Sequence, residues 1–165
     1  MRKKHQKRRF ANMNYKFWTV VMVQQQENVL LLNRQHDHFK GYIPPGGKVD
    51  FPEGFAEGAI REVKEETGLD VHSLQFKGIS HYTNEVKKEH FIIYNYLTND
   101  FSGQLLESCD EGELEWVPIR EAKNYPMQED IRVRFDYFFE PGTFEIHMTW
   151  DEENDCLDKR IIHKL

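Results

Sequence analysis

The chain has 165 residues, 39% of them hydrophobic, 13% aromatic and 30% charged, with a formal net charge of −6. That balance supports one globular domain with a sizeable core and excludes disordered, fibrous and collagen-like classes. No apolar run approaches the roughly 20 residues that span a bilayer, and the opening MRKKHQKRRF leads into no apolar core of the secretory type, so neither a membrane span nor a signal peptide is expected.

Cys109 and Cys156 are too few for a disulfide framework and lack Cys-x-x-Cys spacing, so free thiols in a reducing cytoplasm are expected. Residues 1–12 hold six basic side chains and no acid, which leaves 16 basic against 28 acidic residues elsewhere, a net of −12. A disordered basic arm over 1–12 is expected ahead of a domain over 13–165, with Met13 as an alternative translation start. An acidic body argues against a stable nucleic-acid partner.

In chain order, FWTVVMV (17–23) and NVLLLN (28–33) read as strands joined by the polar turn QQQE. RQHDHFKGYIPPGG then breaks regular structure, punctuated by Pro44, Pro45, Gly46 and Gly47. A helix is expected at about 55–67, with Gly68 as its C-cap. Strands at about 72–82 and 90–97 follow, then LEWVP (114–118) as a short strand and IREAKNY as a brief helical piece. EDIRVRFDYFF (129–139) places Ile131, Phe135 and Phe138 at i, i+4 and i+7, an amphipathic helix ended by Pro141-Gly142. FEIHMTW (144–150) alternates Phe144, Ile146, Met148 and Trp150 against Glu145, His147 and Thr149; with DEEND as a turn and CLDKRII beyond it, a hairpin closes the chain. The mixed order indicates an α/β or α+β domain.

The helix AEGAIREVKEETG crowds Glu62, Glu65 and Glu66 into two turns, although like charges at i,i+4 repel. Setting Glu62 at zero, Glu66 falls at roughly +40° and Glu65 at roughly −60°, while Ala59, Val63, Thr67, Ala56 and Ile60 span roughly +60° to +160° as the core-facing stripe. The acidic sector therefore borders the buried one, where a cleft can form. Gly58, on the acidic side at roughly −40°, leaves room for something against the helix at a cost of up to about 1 kcal/mol. Hard divalent cations suit such a cluster, Mg²⁺ above all, because it shares carboxylate and phosphate oxygens. On charge pattern alone, a solvated face knitted by Glu57–Arg61–Glu65 pairs is the favoured reading.

The flanking residues separate these alternatives. Gly47, KVDFP, Glu53, GFAEGAI and then Arg61-Glu62-Val63-Lys64-Glu65-Glu66-Thr67-Gly68-Leu69 match the Nudix box at nine constrained positions over 23 residues. The chain therefore resembles Nudix hydrolases. FKGYIPPGG resembles the usual approach to the box, SCDEGELEWVP the acidic loop and strand of MutT-type members, and the closing helix and hairpin the MutX-like 8-oxo-dGTP diphosphatases. The entry Phe-Pro-Glu-Gly-Phe departs from the commoner Gly-Glu-Ser/Thr.

The resemblance implies an α/β/α sandwich with a mixed sheet, and Mg²⁺- or Mn²⁺-dependent hydrolysis of a nucleoside diphosphate linked to another moiety. It implies Glu62, Glu65 and Glu66 as metal ligands, one of them doubling as general base. It further implies the Gly46 carbonyl as a metal ligand, with Glu53 and Arg61 orienting loop and helix. Glu111 is chosen to complete the site from the distant acidic loop, with Glu107 and Glu113 as rivals. Arg34 and Lys48 are candidate phosphate clamps. Tyr42 and Phe39 are candidates to stack on a base, or to be buried in the core; His36 and His38 meet phosphate or solvent. Position 85, where ADP-ribose hydrolases often carry proline, is Glu85, and the dinucleoside-polyphosphate and NADH signals are also missing. An oxidised purine nucleoside triphosphate such as 8-oxo-dGTP is the expected substrate, with another nucleotide derivative (ADP-ribose, a nucleotide sugar or a dinucleoside polyphosphate) or a non-catalytic nucleotide-binding module as the alternatives.

Overall fold

The computed structural model describes residues 13–35 and 40–165, so the basic arm and the candidates His36, His38 and Phe39 lie outside the described residues. Strand β1 (Asn14–Gln25) buries Val21, Met22 and Val23 in succession, and β2 (Asn28–Arg34) buries Leu30, Leu31 and Leu32. Such continuous apolar runs belong to strands covered on both faces. Accordingly, Val21, Val23 and Leu30 pack with Ala59 and Val63 of helix α1 (Phe55–Thr67), while Met22, Val29 and Leu31 pack with Ile131, Phe135 and Phe138 near α2 (Glu129–Arg134). Because neighbours on a strand point to opposite faces, the two helices flank the sheet as α/β/α layers.

The remaining strands are β3 (Gly41–Ile43), β4 (Asp70–Val71), β5 (Gln75–Asn84), β6 (Glu89–Thr98), β7 (Phe101–Ser102), β8 (Ser108–Cys109), β9 (Gly112–Pro118), β10 (Phe144–Asp151) and β11 (Cys156–Lys164). The main sheet runs β11-β10-β5-β6-β1-β2-β9-β8, with β3 on β2. It is mixed, since β1 lies parallel to β6 and β10 parallel to β5. Only Gln24↔Val29 and Gln25↔Asn28 join β1 to β2, so the sheet folds there into two leaves.

The expected helix at 55–67 is observed with those bounds; Gly68 closes it at φ 78°, its amide donating to the Lys64 carbonyl (2.9 Å). Several expectations need correction. The helix expected over 129–139 stops at Arg134, and its closing turn tightens to a 3₁₀ segment, Asp136–Phe138, with Ile131, Phe135 and Phe138 still buried. A further 3₁₀ turn, Ala122–Asn124, stands where a helical piece was expected. Ile60 and Ala56 do not line the core: both are exposed, Ile60 by 37%, whereas Gly58, Ala59, Val63 and Thr67 are buried. The helix is thus turned about its axis, so that part of the acidic sector faces inward in place of Ile60.

Candidate active site

The loop after β3 runs beside β1. Thr19 N–H donates to the Gly47 carbonyl (2.8 Å), Val21 N–H to that of Pro45 (2.9 Å), and Val49 N–H to that of Phe17 (3.0 Å). The intervening Gly46 amide donates instead to Glu66 Oε2 (2.9 Å). A Cβ on Gly46 would stand 2.2 Å from the Thr19 carbonyl oxygen, and one on Gly47 would stand 2.4 Å from the Glu62 carboxyl carbon. The Gly-Gly pair therefore lets the loop lie between β1 and two helix carboxylates without side chains in the way.

Arg61 binds the loop to the helix. Its Nε and Nη2 donate to Glu53 Oε2 (3.0 Å) and Oε1 (2.7 Å), a bidentate pair, and Nη2 also donates to the Lys48 carbonyl (3.0 Å). Nη1 donates to Glu62 Oε1 (2.9 Å) and Glu65 Oε2 (3.1 Å). The Glu53 carboxylate takes a third bond, at Oε1 from the Asp50 amide (2.7 Å), and that oxygen fills the space left by Gly58. Glu57 does not extend an Arg61 ladder; its carboxylate accepts from the Gly54 amide (2.7 Å) at the helix start.

Electrostatics separate the carboxylates. The hydrogen bonds from Arg61, and then the Asp50 amide, hold Glu53 at a pKa of about 2. Burial pushes Glu66 up to about 8, against the Gly46 hydrogen bond, and Glu111 and Glu62 push the same way while Arg34 opposes them. Burial also raises Glu62, with Arg61 opposing. Arg61 itself is raised, first by its bond to Glu53.

Glu62, Glu66, Glu53, Arg61 and Gly46 are thus brought together. Glu65 stands at the rim with 58% of its side chain exposed. Glu111 reaches the site from the turn between β8 and β9, pairs with Arg34 (3.3 Å), and acts on Glu66; Glu107 and Glu113 are exposed. Lys48 is exposed and contributes its carbonyl to Arg61. Tyr42 packs edge-on against Tyr125 (4.9 Å) and donates to Glu115 Oε2 (3.0 Å); burial, then Glu115, raises its hydroxyl to about 12. Two features escape a sequence reading. Glu115 ties Tyr42 and Tyr125, and Lys40 lines a cleft of about 210 Å³ with Arg34, Asn33, Gln35, Gly41 and Pro126. Lys40 lies in FKGYIPPGG and Glu115 in SCDEGELEWVP, but no local spacing marks either side chain for these roles.

As the side chains stand, no three acidic, imidazole or thiol groups among the described residues converge on one metal position. The donor chemistry nevertheless fits a hard divalent cation. Glu62 and Glu66 are carboxylates drawn out of water, their charge disfavoured first by burial and then by neighbouring acids, Glu65 and Asp50 at Glu62 and Glu111 at Glu66, and a cation there reverses that penalty.

A mixed sheet thus lies between two helices, with a carboxylate-bearing helix pinned to a Gly-Gly loop by an arginine. The sequence matches the NUDIX domain family over residues 16–138, and the chain belongs to that family. An uncharacterized Nudix hydrolase of Bacillus subtilis, YvcI, is 29% identical over 149 residues, covering 87% of this chain and 92% of the relative. An ADP-ribose pyrophosphatase of Methanocaldococcus jannaschii is 29% identical over 59% of each chain. Bacillus subtilis YtkD, whose name assigns it provisionally to the 8-oxo-dGTP diphosphatases, is 52% identical over 48 residues, 29% of each chain. Among solved structures, the MutT protein of Bacillus halodurans superposes with a TM-score of 0.80, at 22% identity, over 89% of this chain and 97% of its own. The protein is accordingly a Nudix pyrophosphohydrolase, and among the described residues no helix is long and apolar enough to cross a membrane.

Proposed function

We propose that the protein hydrolyses an oxidised purine nucleoside triphosphate, such as 8-oxo-dGTP, to the monophosphate and pyrophosphate, with Mg²⁺ or Mn²⁺ as cofactor. The observation that carries the proposed chemistry is the placement of Glu62 and Glu66 against the Gly46–Gly47 backbone, with Arg61 joining that helix to Glu53. The 48-residue similarity to YtkD and the absence of the ADP-ribose-type proline at Glu85 support the substrate; the similarity to an ADP-ribose pyrophosphatase supports the second reading, hydrolysis of ADP-ribose.

Glu62, Glu65, Glu66, Glu111 and the Gly46 carbonyl would hold the cation. When bound, it supplies neutralisation of the pyrophosphate charge and an electrophilic phosphorus. The chain's own residues do the rest. One helix carboxylate accepts a proton from the attacking water, the new P–O bond forms at one phosphorus of the anhydride, and the bridging P–O bond breaks with its electron pair leaving on the departing phosphate. Glu53 and Arg61 position the helix, while Arg34 and Lys48 clamp phosphate oxygens and Tyr42 contacts the base. Both cysteines are free thiols, which supports a cytoplasmic setting.

The test is turnover of 8-oxo-dGTP, dGTP, ADP-ribose and dinucleoside polyphosphates with Mg²⁺. Faster pyrophosphate release from 8-oxo-dGTP than from dGTP is expected. Slower release overturns the substrate, and a preference for ADP-ribose establishes the second reading. If nothing on the panel turns over and Glu62→Gln and Glu66→Gln behave as wild type, the proposed chemistry itself is wrong.

A further inference from the structure

Three histidines stand together on the sheet face that carries Tyr94 and Tyr96, and none belongs to the site above. His147 on β10 is the register partner of His81 on β5, while His90 on β6 pairs with Thr83, two residues along from His81. Their ring centroids are separated by 5.4 Å (His81–His90), 6.0 Å (His81–His147) and 6.2 Å (His90–His147). His81 Nδ1 and His90 Nε2 are 3.2 Å apart. Two imidazoles bound to one tetrahedral metal at roughly 2.0–2.1 Å place their nitrogens about 3.3 Å apart and their rings about 5 Å apart. The other nitrogen of His81, Nε2, faces Glu145 Oε1 at 3.5 Å. A carboxylate on the far nitrogen of a ligating histidine is the arrangement that orients such rings.

We propose that His81, His90 and His147 form a second metal site, for a borderline transition-metal ion of the Zn²⁺ or Co²⁺ class, that ties β5, β6 and β10. Imidazole nitrogen selects such ions over Mg²⁺, which the carboxylates of the Nudix helix suit, so one chain separates two classes of cation by donor type. The third corner closes by rotation of His147, which is exposed and whose Nε2 now lies 3.1 Å from Thr83 Oγ1. As they stand, the three rings do not converge on one metal position. Water completes the fourth position.

The test uses the full chain with excess Mg²⁺, titrated with Zn²⁺ against a chromophoric chelator and with Co²⁺ by visible absorption. One equivalent of Zn²⁺ and a Co²⁺ spectrum of tetrahedral intensity are expected. His147→Asn, at an exposed position, weakens both by about tenfold or more, and His90→Asn does the same, while Glu62→Gln leaves them unchanged. Mg²⁺-dependent hydrolysis in His147→Asn stays within about twofold of wild type. No uptake of Zn²⁺, uptake indifferent to both histidine variants, or uptake lost in Glu62→Gln would each overturn the site; the first two identify the His81–His90 contact as a plain N–H···N hydrogen bond.

Discussion

Gly58 and Glu53 occupy one space: a Cβ on the helix glycine would stand 2.9 Å from the Glu53 Oε1 that bonds Arg61 and the Asp50 amide. In an exposed helix interior, Gly→Ala stabilises by about 1 kcal/mol. Here the added methyl must displace a carboxylate fixed by several hydrogen bonds, and with it the arginine that sets Glu62. Gly58→Ala is therefore expected to gain less than that propensity and to lower kcat on the order of tenfold or more. Thermal unfolding and steady-state rates check both. An unchanged kcat would show that the space is not reserved for Glu53.

The same pair predicts a pH signature. Glu53 is held at about 2, chiefly by hydrogen bonds from Arg61, against an ordinary value of 4.5. A depressed carboxylate contributes stability that is complete above its unfolded pKa and is lost as pH falls through its folded one. The stability difference between wild type and Glu53→Gln should hold steady above about pH 4.5 and close as the pH falls toward 2. Urea unfolding across that range measures it; a difference that grows on acidification contradicts the pairing.

Much of this was legible in the sequence because it is local. The bounds of α1, its Gly68 cap, the Phe144–Ile146–Met148 alternation and the convergence of Glu62 with Glu66 all follow from periodicity and turn chemistry. The rotation of α1 was not legible. Hydrophobicity placed Ile60 inward, but the Gly46–Gly47 loop claims that side of the helix through Glu66 and Glu62, and Ile60 is left in water. Nor do Lys77 and Arg134 read as buried. A bulge between Phe76 and Gly78 turns Lys77 inward, where its Nζ donates to the carbonyls of Glu140 (2.7 Å) and Gly142 (3.1 Å), partners more than 60 residues away.

Glu66 should cost the metal-free protein stability. Burial disfavours its charge, and Glu111 and Glu62 oppose it further, with the Gly46 amide as partial compensation. A glutamine keeps an oxygen to accept from Gly46 and removes the charge. Glu66→Gln is expected to raise metal-free stability by roughly 0.5–2 kcal/mol, while lowering hydrolysis on the order of 10²-fold or more. Mg²⁺ at a hundred times its Kd should stabilise wild type by about 2.7 kcal/mol, and a chelator should remove that gain. Glu66→Gln should gain much less. Calorimetry with and without Mg²⁺ separates the outcomes, and an equal Mg²⁺ response in both proteins would place the cation elsewhere.

Arg134 offers a test of the opposite kind, in a residue with no part in the site. Its side chain is 1% exposed, and Nη2 meets Asp130 Oδ2 at 3.3 Å, while Nε and Nη1 have no hydrogen-bond partner among the described residues. Burial lowers its pKa, and Asp130 opposes that shift. A buried ion pair with unfilled donors repays little of its desolvation, so replacing the cation with an apolar side chain of similar length is neutral or stabilising by roughly 1–4 kcal/mol. Removing the anion alone leaves an uncompensated charge. Arg134→Met should therefore keep or raise the melting temperature, whereas Asp130→Asn should lower stability by about 2 kcal/mol. That is less than a fully enclosed pair would lose, because Asp130 keeps 31% of its side chain in water. If Arg134→Met proves the more damaging of the two, the guanidinium contributes packing or hydrogen bonds beyond the single contact with Asp130.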